Sequence, residues 1–174
     1  QTMLFSPLSA NVPFSKHWDN FQVLMMILKH YFPNKVDTQK LRYIVDAFNT
    51  KYHAMAHTIS GFKYDTIAYI WNDREKLFNE LPKLSEEGDD EKLIRRLSKI
   101  PGVRPVKAGF IAQLLFGKAG CIDTHNIDIY TKVFPDMADE FNVNKWDGED
   151  GPKNYTALLK KLEKEKKIGS KQLW

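Results

Sequence analysis

Apolar residues recur at three- and four-residue spacing along most of the chain, and no stretch sustains strict alternation, so the pattern predicts helices throughout. Residues 1–14 are apolar and broken by Pro7 and Pro13, which predicts an extended packed arm. Ser15 is placed to cap a helix over 16–32 with a stripe of Trp18, Phe21, Leu24, Met25, Leu28 and Tyr31; Pro33 and Asn34 stop it. Further helices are predicted over 38–49 (Leu41, Ile44, Val45, Phe48), 51–59 and 64–72 (Ile67, Ala68, Trp71), with Gly61 breaking the chain between the last two. Residues 73–80 continue or restart that helix, and 82–90 read as a loop. Asp89 or Asp90 caps a helix over 91–98, Pro105 opens one that runs to Gly117, and another covers 126–134 up to Pro135. An acidic linker, 145–152, precedes a last helix over 153–167, and Ser170 could start one more turn. Strands, internal repeats and low-complexity tracts are not predicted.

Residues 100–126 read IPGVRPVKAGFIAQLLFGKAGCIDTHN and carry most of the chemistry. Gly102 between Pro101 and Val103 suits a tight connection, because glycine accepts positive φ and lets backbones approach. Val106, Phe110, Ile111, Leu114 and Leu115 then predict a buried helix face. The free amides at the start of that helix, with its dipole, favour an anion such as phosphate, and Arg104 and Lys107 stand beside them. Taken alone, this is equally an ordinary helix pair with a glycine turn.

Charge changes the picture more by place than by amount. The net value is only +4, but residues 91–118 hold Lys92, Arg95, Arg96, Lys99, Arg104, Lys107 and Lys118 against Glu91. Seven lysines follow residue 150, against Glu163 and Glu165, and acidic patches lie at 86–90 and 136–150. The first cluster suits a phosphate backbone, whereas the lysine-rich tail reads equally as a solvated helix face. A length of 174 residues, 43% of them hydrophobic, allows one domain or two small lobes. No membrane span or signal peptide is predicted, and Gln1 suggests a trimmed chain. The single cysteine, Cys121, excludes a disulfide framework and points to a reducing, intracellular setting.

The segment resembles the signature of the helix-hairpin-helix (HhH-GPD) DNA glycosylases, including endonuclease III and adenine glycosylase, whose form is L-P-G-V-G-x-K/x-T-A followed by V-D-T/V-H. Gly102 and Val103 fall on the hairpin, Ala108 on its alanine and Asp123 on the family's catalytic aspartate, with almost no gap between. The resemblance covers roughly 20–135 and is specific from 95 to 126. It implies an all-α, two-lobed fold filling one compact domain, 1–174, with an N-terminal arm at 1–14 and the helix-hairpin-helix at 91–117. It also implies a partner, duplex DNA with a damaged or modified base, and a monomeric enzyme of the nucleoid or cytoplasm. The Gly61-Phe62-Lys63-Tyr64 turn is similar to a family turn whose apolar residue wedges into the duplex, which maps the wedge onto Phe62. DNA contacts are expected from Gly102, Val103, Arg104, Val106, Lys107 and Phe62. One cysteine cannot supply the four-cysteine iron–sulfur cluster of some relatives. A monovalent cation on hairpin carbonyls is the sole cofactor the resemblance allows, and no metal-ligand spacing is present; His53 and His57 lack a third ligand.

Two departures matter. Bifunctional members place a Schiff-base lysine four residues after the hairpin's first glycine; here Val106 holds that place and Lys107 follows. One helical step turns a side chain by about 100°, so Lys107 is expected to leave the pocket, meet phosphate and stay protonated. Arg104-Pro105 replaces a glycine and a variable residue, which removes one hairpin amide and offers an arginine in its stead. The family's glutamine at the end of its first core helix has no clear counterpart near His30 and Tyr31.

Cleaving an N-glycosidic bond builds positive charge on deoxyribose, and a fixed carboxylate stabilises it and can activate water or a lysine. Asp123, after small and apolar residues and before a helix, suits that role; it or Thr124 also suits an N-cap. His125 caps, touches phosphate or orients. Tyr52, His53, His57, Tyr64 and Trp71 are candidates for a base pocket, and for each of them core is the stronger reading. The leading function is a monofunctional glycosylase of the base-excision type. The alternatives are a glycosylase/lyase using Lys107, a glycosylase-fold enzyme that modifies a hypermodified thymine without excising it, and a non-catalytic DNA-binding module.

Overall fold

The computed structural model describes residues 2–8, 14–52, 59, 61–169 and 173, and every regular element among them is helical. The chain divides into two compact units: Gln1–Leu77 with Ile100–Gly102, and Phe78–Lys99 with Val103–Trp174.

In the first unit α1 (Thr2–Leu8) and α3 (Thr38–Tyr52) pack on α4 (Lys63–Asn72), and α2 (Phe14–Tyr31) packs on α3. The expected extended arm is helical over Thr2–Leu8, because Leu4 and Leu8 fall one turn apart and both are buried. Burying each contributes about 1.5–3 kcal/mol, more than a local preference for extended backbone. Helix α2 starts at Phe14, ahead of the expected Ser15 cap. Its core face is Phe21, Leu24, Ile27 and Leu28, while Trp18 and Tyr31, placed in the stripe by periodicity, are exposed. Asn72 closes the unit by pairing its amide with both backbone groups of Val36, at 2.7 and 3.0 Å. The helix predicted over 51–59 has its first two residues in α3; 53–58 lie outside the described residues.

Helix α5 (Arg74–Glu86) runs through Pro82, where a loop was expected. The burial of Leu77, Leu81 and Ser85 keeps one face of the helix against the protein beyond the proline.

In the second unit α6 (Asp90–Leu97), α7 (Pro105–Phe116) and α9 (Gly151–Lys166) pack against one another. Asp89 caps α6 by accepting from the Lys92 amide at 3.2 Å. Pro105 opens α7, and Gly117 ends it in the left-handed region at φ +64°. The buried face of α7 is Ala108, Gly109, Ile111 and Ala112, whereas Val106, Phe110, Leu114 and Leu115 are only half-buried. Small residues there let α6 and α9 approach closely, which apolar periodicity alone does not reveal. Between α8 (Thr124–Val133) and α9 lie two 3-10 turns, Pro135–Met137 and Val143–Trp146. The predicted acidic linker is thus partly structured: Trp146 is buried and α9 begins at Gly151.

Candidate functional site

Asp123 stands at the end of a non-helical stretch, 118–123, that follows α7. Its carboxylate accepts from the Asn126 amide at 3.0 Å, and the Asn126 side chain accepts from the Asp123 amide at 3.1 Å. Asp123, not Thr124, is therefore the N-cap of α8, in a reciprocal capping box. The residue remains exposed, as do Thr124 and His125. Capping uses one oxygen of the carboxylate, so the cap and a role in chemistry are compatible.

The stretch is held from beneath. Tyr155 of α9 is fully buried, donates to the Gly120 carbonyl at 2.6 Å and accepts from the Ile122 amide at 3.0 Å. Burial holds its phenol protonated far above the usual tyrosine range. Gly109 permits this approach, because a Cβ there would run into the Gly120 carbonyl and the Tyr155 ring. Trp146 meets the other side of that ring edge-on, 5.2 Å between centroids. Sequence reasoning missed Tyr155; its one signal was an aromatic on the apolar face of a lysine-rich helix.

Lys107 departs from expectation. It is half-buried, its ammonium lies 5.6 Å from the centroid of the Phe110 ring, and it is within electrostatic reach of Cys121 and Asp123. Burial pulls its pKa below the usual lysine value, and the charges of Cys121 and Asp123 partly oppose that. Residue 107 stands in the first turn of the helix that starts at Pro105, which brings its charge within reach of Asp123. Burial, then the Asp123 charge, pushes the Cys121 thiol up to about 11.

The basic cluster is smaller in space than in sequence. Arg96 is buried and pairs with Glu80 at 2.8 Å, Arg95 pairs with Glu91 at 2.8 Å, and Lys92 reaches Glu87 and Asp89. Arg104, strongly exposed, faces Asp147 at 3.3 Å beside an open hollow of about 280 Å³ lined by Ser98, Val103, Pro105 and Trp146. The side chain of Val103 is buried, which leaves only its backbone to face a phosphate, while Val106 is half-buried.

In the first unit the exposed Phe62 lies on Gly102, whose φ is +73° and where a Cβ would collide with the ring. Thr66, buried on α4, sends its hydroxyl to the Phe62 and Pro101 carbonyls and ties these two turns together. Tyr64, a pocket candidate, is core: burial and the Asp46 charge push its hydroxyl up to about 12. Trp71 is half-buried and donates to the Phe32 carbonyl at 2.8 Å. Both polar atoms are thus engaged within the unit. His53 and His57 lie outside the described residues, as does the side chain of Tyr52.

Among the described residues no group of three or more His, Cys, Asp or Glu could hold a metal, and no helix is long and apolar enough to cross a membrane. Comparison of the chain with protein-family models, with curated proteins and with solved structures found no match.

Proposed function

We propose that this protein is a DNA glycosylase of the two-lobed helix-hairpin-helix kind, which extrudes a damaged or modified base and hydrolyses its N-glycosidic bond. The observation that carries the reading is Asp123: an exposed carboxylate with a fixed direction, at a helix start, about twenty residues after the Pro-Gly-Val turn in the sequence. The glycosidic bond breaks with its electron pair going to the base, and the cation left on the sugar faces the carboxylate. Water adds to C1′ and gives up a proton to Asp123, and that proton passes through solvent to the departing base, which leaves a sugar hydroxyl, the neutral free base and the carboxylate restored. Phe62, exposed on Gly102, suits the wedge that fills the space of the extruded base. The amides at the start of α7, with Arg104, suit a phosphate.

A second reading, glycosylase with lyase activity, has one observation in its favour. Lys107 sits within reach of Asp123, and its lowered pKa raises the fraction of free amine that imine formation needs.

A panel of duplexes with uracil, thymine mismatches, oxidised bases and alkylated bases, followed by mass spectrometry, tests both. Loss of a base with the strand intact supports the hydrolase. A borohydride-trapped protein–DNA adduct, absent in Lys107→Ala, supports the lyase. A base that gains or changes a substituent without leaving the strand, or binding with no chemistry, overturns both.

A further inference from the structure

We propose that Tyr155 is a positioning residue that fixes where the Asp123 carboxylate points. This role rests on the proposed function of Asp123.

Only the ends of the stretch join the flanking helices, Lys118 N–H to the Ala112 carbonyl and the Asp123 carbonyl to Ile127 N–H, so the buried backbone groups between them need partners from elsewhere. One hydroxyl supplies two of them. It donates its proton to the Gly120 carbonyl and accepts the Ile122 N–H on a lone pair, so both bonds stand together. These groups flank Cys121, and the second belongs to the residue immediately before Asp123. The two peptides on either side of Cys121 are therefore pinned from the core, and the capping box holds the Asp123 amide and side chain beyond them.

The pin is itself held. Trp146 packs edge-on against the Tyr155 ring, Gly109 leaves room for the ring and for the Gly120 carbonyl, and Leu173 lies against the other face of Gly120. Ala119, a non-glycine residue at φ +53°, shows that the turn into the stretch holds an uncommon conformation. The phenol stays protonated through any working pH, so the donor bond to Gly120 does not titrate away. A catalytic group needs placement within about 0.5 Å, and a misplacement of about 1 Å costs roughly a hundredfold in rate. Tyr155 supplies that placement from a helix that touches no reacting atom.

Tyr155→Phe tests this, because it keeps the ring between Trp146 and Gly109 and removes only the hydroxyl. Leu162→Val, further along the buried face of α9, serves as a control for reduced stability. Two readouts separate position from stability. Amide hydrogen exchange at Ile122 should rise by roughly tenfold or more beyond the global change in Tyr155→Phe, since its buried acceptor is gone, and should follow only the global change in Leu162→Val. Single-turnover excision on whichever duplex of the panel is cut should fall by about tenfold to a hundredfold in Tyr155→Phe, with duplex affinity unchanged and with Leu162→Val at the wild-type rate.

Wild-type excision by Tyr155→Phe, or Ile122 exchange that merely tracks global stability, overturns the positioning role while Asp123 stands. Turnover retained in Asp123→Asn, or no duplex cut by the wild type, overturns the reading of Asp123 and this inference with it.

Discussion

Of the close approaches that depend on glycine, those at Gly102 and Gly109 are held in opposite ways. At Gly102 the neighbour is the exposed Phe62 ring, which can swing into solvent. At Gly109 the neighbours are the Gly120 carbonyl and the buried Tyr155 side chain, neither of which can move freely. The first pair can separate at little cost; the second cannot without breaking two buried hydrogen bonds. Under the proposed function a wedge must leave its resting place when DNA arrives, and a catalytic carboxylate must not. The difference between the two approaches matches that division of labour.

The comparison breaks most visibly at Gly109. A methyl group there would run into the Gly120 backbone carbonyl, at the severe end of overpacking, about 3 kcal/mol or more, against roughly 1 kcal/mol gained from alanine's helix propensity. Gly109→Ala should lower the thermal midpoint by several degrees; an unchanged midpoint would show that the stretch is soft. Gly102→Ala should cost less, about 1–2 kcal/mol for the left-handed φ, because the ring can give way. If it destabilises more than Gly109→Ala, the ranking of the two approaches is reversed.

Arg104→Ala leaves both approaches intact and tests only the anchor. The log–log salt dependence of duplex binding should flatten by about one unit for each phosphate that is no longer neutralised, and Asp147→Asn should strengthen binding by releasing Arg104. An unchanged slope removes the anchor role.

The smallest expected effect concerns Cys121, within the pinned stretch. Its thiol rises from an ordinary 9.0 to about 11, so iodoacetamide should alkylate the folded protein about a hundredfold more slowly than free cysteine near pH 8. Lys107→Ala should slow it further, because the ammonium favours the thiolate. The sign for stability follows: above pH 9 the unfolded chain loses this proton first, so Cys121 destabilises the fold as pH rises towards 11. Lys107, with its pKa lowered, works the other way, since the unfolded chain binds that proton more tightly. Alkylation at the free-cysteine rate would mean the stretch opens to solvent.

Much of this was legible in the sequence. Helical periodicity with its proline and glycine punctuation gave the all-helical class, the start of α7 at Pro105, its end at Gly117 and an N-cap at Asp123. Periodicity misled where small residues carry the packing, as on the Ala108–Ala112 face of α7, and where burial overrides punctuation, as at Pro82 and in α1. At the site, the turn and the aspartate stand out as residue types at a spacing. Tyr155 does not, because it lies 33 residues beyond Ile122 and its role exists only once α9 packs beneath the stretch. The direction of Lys107 was misjudged for a related reason. A helical wheel gives angles about one axis, but not which neighbour waits at each angle. The basic cluster likewise shrank once Arg96 found Glu80, a partner 16 residues away.

The central claim is that the Asp123 charge drives glycosidic cleavage, and Asp123→Asn tests it most directly. Asparagine caps a helix as well as aspartate does, so the thermal midpoint and duplex affinity should hold. Single-turnover base release on a duplex that the wild type cuts should fall by at least about a hundredfold. Base release at the wild-type rate in Asp123→Asn would contradict the account and leave Asp123 as a helix cap alone.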